Sequence, residues 1–82
     1  YSPVRRAILV SEIAGWMKTF VTVSDLESFS KAASVLGLTQ STVSRQVTAL
    51  EKHLGVSLLK RTTRSFALTL EGLSFYESAQ RA

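Results

Sequence analysis

Apolar residues recur at helical spacing from Ile13 onward. Ile13, Met17, Phe20 and Val21 stand at i, i+4, i+7 and i+8, which places them on one helix face, with Trp16 beside it. The pattern predicts a helix that ends near Ser24–Glu27, where polar residues interrupt it. Residues 1–12 show little periodicity before Ile8 and are left as an unassigned N-terminal extension. A second, shorter stripe, Phe29, Ala32, Ala33 and Leu36, follows Ser28, a good N-cap residue. Gly37 suits the left-handed position just past a helix end, so a second helix is expected over 29–36.

A tight turn then leads to Thr39, a second capping residue, and to a third helix expected over 40–54 and closed by Gly55. At roughly 100° per residue, Val43, Val47, Leu50 and Leu54 fall within an arc of about 60°. Gln40, Ser41, Ser44, Arg45, Thr48 and Lys52 fall in a different arc of about 140°. The stretch "LGLTQSTVSRQV" is crowded with hydroxyls and amides, although serine and threonine are mediocre helix formers because their side chains compete for backbone groups. A helix that accepts this cost repeatedly is presenting those groups to something.

Beyond Gly55 the period changes. "VSLLKRTTRSFALT" reads as two short strands, 57–61 and 65–68, around a turn at Thr62, Thr63 and Arg64. Thr69 can cap a last helix from Leu70, with Glu71 in its first turn and Leu70, Leu73, Tyr76 and Ala79 as its apolar stripe. Two helices joined by a short glycine turn, the second polar on its outer face, describe a helix-turn-helix; a hairpin after it makes a winged helix. Ala33 at the helix crossing, Gly37 in the turn and Val43 on the inner face have the spacing such a motif needs. The expected fold is therefore mostly α: a winged helix-turn-helix over 13–69, with a two-stranded β-hairpin wing, and a further helix beginning over 70–82.

Composition narrows the function. At 82 residues and 45% hydrophobic, the chain makes one small domain with a modest core. It has no cysteine, which excludes disulfides and thiolate metal sites. The apolar run Ala7 to Val10 is only four residues long, against the roughly 20 of a bilayer span, and no membrane partner is expected. The single histidine, His53, has no second histidine, cysteine or glycine-rich phosphate loop to complete a catalytic site. No enzyme activity, cofactor or metal is expected. The net charge of +4 is unevenly spread. Arg45, Lys52, Lys60, Arg61 and Arg64 face Glu51 alone within residues 40–64, whereas cations and anions balance elsewhere. A local basic field of this kind attracts polyanions, nucleic acid first.

Motif and charge together assign roles. In helix-turn-helix docking the start of the second helix faces base edges in the major groove. Gln pairs with adenine, Arg with guanine, and Ser or Thr with several partners. Gln40, Ser41, Ser44 and Arg45 are thus the candidate base-contacting residues. Ser28, Thr39, Thr42, Thr48, Lys52, Lys60 and Arg61 are candidates for the DNA backbone; for Lys60 and Arg61 a solvated strand edge is the competing reading. Arg64, near the hairpin tip, is the candidate for a narrow minor groove. A winged-helix module that binds acidic proteins is the alternative function; it predicts no duplex affinity and little effect of changing Ser44 or Arg45.

"SFSKAA", "LTQSTVSRQVTALEKHLGVSLL", "RTTR" and "LTLEG" occur in an order and spacing that resemble the DNA-binding domain of LysR-type transcriptional regulators over residues 13–81. The resemblance implies a winged helix-turn-helix that binds double-stranded operator DNA as a homodimer or higher oligomer, in the cytoplasm of a bacterium at its nucleoid. It implies base recognition through Gln40, Ser41, Ser44 and Arg45 and a wing arginine at Arg64. It makes the segment from Leu70 the start of a linker and dimerisation helix. It also implies that a small-molecule effector acts only through a C-terminal domain of the periplasmic-binding-protein type, which this sequence does not contain. Three positions depart from the family pattern: Lys60 stands where an acid is usual, Leu59 where Phe is common, and Thr63 where Gly is common at the wing turn.

Overall fold

The computed structural model describes residues 3–61 and 65–81. Four helices follow one another: α1 (Pro3–Leu26), α2 (Phe29–Leu36), α3 (Gln40–Leu54) and α4 (Leu70–Arg81). α1 packs against each of the other three, and α2 packs against α3. Phe20, Val23, Val43, Val47, Leu50 and Leu58 have no exposed surface, and Ala32, Ala33 and Leu59 complete the core. The small side chains of Ala32 and Ala33 let α2 lie close to its neighbours. A partly buried polar pair also joins α1 to α3: the Thr19 hydroxyl donates to Gln46 Oε1 at 2.6 Å.

The caps expected from sequence form. Ser28 is extended (φ −162°, ψ 126°), and its Oγ accepts the Lys31 N–H at 3.1 Å. Gly37 is left-handed at φ 69°, and the Leu38 N–H closes the end of α2 on the Ala33 carbonyl at 2.9 Å. Thr39 caps α3 by accepting the Thr42 N–H at 3.1 Å, and Gly55 ends it at φ 72°. Thr69 caps α4: its Oγ1 accepts the Gly72 N–H at 2.9 Å and donates to the Ser57 carbonyl at 2.6 Å.

Two expectations need correction. Residues 3–12 are not a separate, unassigned extension, because they form the first half of α1. From Val4 to Glu12 every residue is exposed, including Val4, Ile8 and Val10. Consequently Val4–Leu26 is one helix long and apolar enough, by length and composition, to cross a bilayer. Phe20 and Val23 of that helix lie in the domain core, so its second half is already committed to packing.

The wing also differs. In place of two strands over 57–61 and 65–68, the described residues hold a single antiparallel bridge, Leu59 with Leu68. It is flanked by the Lys60 N–H to Ala67 carbonyl bond and the Thr69 N–H to Leu58 carbonyl bond, both 3.1 Å. At its Leu58 end the ladder stops because the Leu58 N–H goes to the Glu51 carboxylate and the Thr69 carbonyl accepts the Leu73 N–H of α4. The Glu51 carboxylate accepts the Leu58 and Leu59 N–H groups, and the Ser57 hydroxyl donates to the Leu59 carbonyl at 3.1 Å. The turn at residues 62–64, and with it the expected role of Arg64, lies outside the described residues.

Candidate nucleic-acid interface

α3 positions the candidate side chains by burying the opposite face. Val43, Val47 and Leu50 are sealed in the core, so Gln40, Ser41, Arg45, Thr48 and Lys52 are left exposed and Ser44 half-buried. The start of this helix is organised by hydroxyls. Thr39 Oγ1 donates to Thr42 Oγ1 at 2.8 Å and lies 3.3 Å from Ser41 Oγ. Arg45 Nη2 donates to Thr42 Oγ1 at 3.2 Å, which folds the guanidinium back over the first turn.

A threonine hydroxyl has one proton to give and two lone pairs. Thr42 Oγ1 accepts from Thr39 and from Arg45, so its own proton is left for an outside acceptor such as a phosphate oxygen. Arg45 spends one of its five N–H donors on this contact and keeps the others, enough for a bidentate partner. A helix start also favours an anion through its backbone N–H groups.

The second cluster lies beside the wing. A groove of about 330 Å³ is lined by Ser28 and Phe29 at the start of α2 and by Lys60, Arg61, Ser65 and Phe66. Tertiary structure thus brings Ser28 next to Lys60 and Arg61, residues that the sequence separates by some thirty positions. The Lys60 side chain is exposed, while its backbone is held by Ala67. Arg61 is different: its Nη2 is paired with Glu51 Oε1. The sequence treated Glu51 only as the one acid in a basic stretch, and the structure makes it the acceptor for the wing. His53 is exposed in the last turn of α3, and no group of three His, Asp or Glu side chains suited to a metal occurs among the described residues.

A three-helix core with a polar, cation-flanked α3 and a β-bridged loop before a capped fourth helix defines a helix-turn-helix domain. The family model for bacterial regulatory helix-turn-helix proteins of the lysR family matches residues 15–73, and the chain belongs to that family. It is 52% identical over 64 residues to an HTH-type transcriptional repressor of Pseudomonas aeruginosa, covering 78% of this chain and 20% of the repressor. It is 49% identical over 65 residues to the HTH-type transcriptional regulator CrgA of Neisseria meningitidis, covering 79% of this chain and 22% of CrgA. The chain therefore spans about a fifth of the length of these curated relatives.

Among solved structures it is similar to the BenM DNA-binding domain in complex with benA site 1 DNA. The TM-score is 0.80 at 40% identity, over 83% of this chain and 76% of that one. Vibrio fischeri DarR in complex with DNA is similar over 83% of this chain and 23% of DarR, with a TM-score of 0.78 at 29% identity. The match leaves residues 3–14 of α1 outside the family model.

Proposed function

We propose that this chain binds double-stranded DNA for transcription regulation by setting the start of α3 into the major groove. The observation that carries the reading is the division of α3: Val43, Val47 and Leu50 fully buried, and Gln40, Ser41 and Arg45 exposed at its N-terminal end. The fold's likeness to a BenM domain in complex with DNA supports it. Gln40, Ser41, Ser44 and Arg45 read base edges. Thr39, Thr42, Thr48 and Lys52 on α3, with Ser28 and Lys60 across the wing groove, hold phosphates and fix the docking angle. Arg64 extends the contact toward the minor groove. In the full-length protein a dimer places two such helices in successive major grooves, roughly 34–36 Å apart, and α4 begins the linker between them. The work is done in the cytoplasm and involves no catalysis.

Fluorescence anisotropy on a labelled random-sequence duplex, across a salt series, tests this. Wild type is expected to bind with a steep salt slope, because phosphate contacts release counterions. Arg45→Ala is expected to weaken binding by about 1–3 kcal/mol once a selected site is used. Absence of duplex affinity at low salt, together with retention of an acidic protein partner, would instead favour the protein-interaction reading.

A further inference from the structure

We propose that Glu51 is a positioning residue that fastens the wing to the recognition helix and withholds Arg61 from the nucleic acid. This rests on the DNA-binding reading above. Glu51 stands in the last turn of α3, where the helix dipole disfavours an anion, beside Lys52 and His53, which suit that end. Its side chain is only 12% exposed, so the carboxylate needs local partners.

It has three, all within residues 58–61. Oε2 accepts the Leu58 N–H at 2.7 Å and the Leu59 N–H at 3.3 Å, while the Ser57 hydroxyl 3.5 Å away gives its proton to the Leu59 carbonyl. Oε1 accepts from Arg61 Nη2. Charge-assisted bonds of this kind are about twice as strong as neutral ones.

The same segment carries the bridge. The Leu58 carbonyl receives Thr69, Lys60 pairs with Ala67, and Leu58 and Leu59 are buried. The wing root therefore hangs from one carboxylate on α3, and its offset from Gln40–Arg45 is set there. The pairing also offsets the Arg61 charge. Of the two adjacent wing-root cations, Lys60 is exposed and forms no ion pair among the described residues, whereas Arg61 forms part of a neutral pair. The lone acid of residues 40–64 thus sits where two backbone N–H groups lack a strand partner.

The test combines amide hydrogen exchange with duplex binding, on Glu51→Ala, Glu51→Gln and Arg61→Ala. In Glu51→Ala the Leu58 and Leu59 amides are expected to exchange at least about tenfold faster, with Val47 and Leu50 unchanged as the fold control. Glu51→Gln keeps a carbonyl acceptor and is expected to rescue that protection to within about threefold. On a random-sequence duplex of about 25 base pairs, Arg61→Ala is expected to keep the wild-type salt slope. Glu51→Gln, which frees the guanidinium, is expected to steepen it by about one, and adding Arg61→Ala to return it.

Unchanged exchange at Leu58 and Leu59 in Glu51→Ala overturns the fastening role. A slope flattened by about one in Arg61→Ala makes Arg61 a phosphate contact and overturns the withholding role. Failure of wild type to bind any duplex removes the DNA reading and the withholding with it, while the exchange data still decide the fastening.

Discussion

Gly72 tolerates no side chain. A Cβ built there would stand 2.0 Å from the Leu58 carbonyl oxygen and 2.9 Å from the carbonyl carbon, both backbone atoms of the wing root. The glycine lets the first turn of α4 lie directly on the bridge segment, where Thr69 also bonds Ser57. Gly72→Ala is expected to cost about 3 kcal/mol, because neither backbone can retreat without breaking the Thr69 N–H to Leu58 carbonyl bond. Urea unfolding measures this, and a loss under about 0.5 kcal/mol would show that the contact relaxes. Gly72 carried no signal in the sequence beyond its place in "LTLEG", since its neighbour is fourteen residues away. The capping residues Ser28, Thr39 and Thr69 were legible because each bonds a backbone N–H three residues on. A local bond leaves a local trace.

At the scale of elements, α2 and α3 begin and end where their caps and glycines place them. The start of α1 was not legible, and the reason is physical. Periodicity reveals a helix only when one face is buried, and residues 4–12 are exposed all round, with apolar side chains on every side. The packed half, with Phe20 and Val23 in the core, supplies the nucleus onto which these residues propagate. Removing residues 1–11 is therefore expected to lower Tm by less than about 2 °C, as followed by circular dichroism at 222 nm. A fall of about 5 °C or more would mean that the extension packs on something in solution. The wing shows one bridge among the described residues, not two strands, for a different reason: its sequence alternates well enough, but the Leu58 N–H goes to Glu51 and the Thr69 carbonyl to Leu73, the two groups a longer ladder would pair at that end.

At the scale of the whole molecule, α4 is held to the core by aromatic and polar contacts between distant segments. The Phe20 and Phe75 rings lie 5.7 Å apart at 54°, a tilted arrangement. Tyr76 donates its phenolic proton to Asp25 and accepts from Gln80 Nε2 at 2.9 Å. The Asp25 hydrogen bond chiefly, with desolvation and the Asp25 charge behind it, raises the Tyr76 phenol above its ordinary 10.0. The folded phenol holds its proton more tightly than the unfolded one. The contact's contribution to stability is thus complete below about pH 10 and is lost as pH climbs through the folded value. In a Tyr1→Phe background, phenolate absorbance should report Tyr76 titrating above the ordinary value, and Asp25→Asn should bring it back down. An unshifted titration would mean that the hydrogen bond does not persist in solution.

The sequence by itself determined the helix-turn-helix, its caps, and which face of α3 carries Gln40, Ser41, Ser44 and Arg45. Each of these depends on residues within one or two helical turns, where period and capping chemistry act. Tertiary structure alone decided the partners of the cations and of the wing. Arg61 and Glu51 are ten residues apart, and Ser28 meets Lys60 only because α2 and the wing close on one groove. Arg61 and Lys60 have the same charge in the sequence. Only packing shows that Glu51 offsets one and leaves the other facing outward, because a charge's effect depends on what lies within a few ångströms of it.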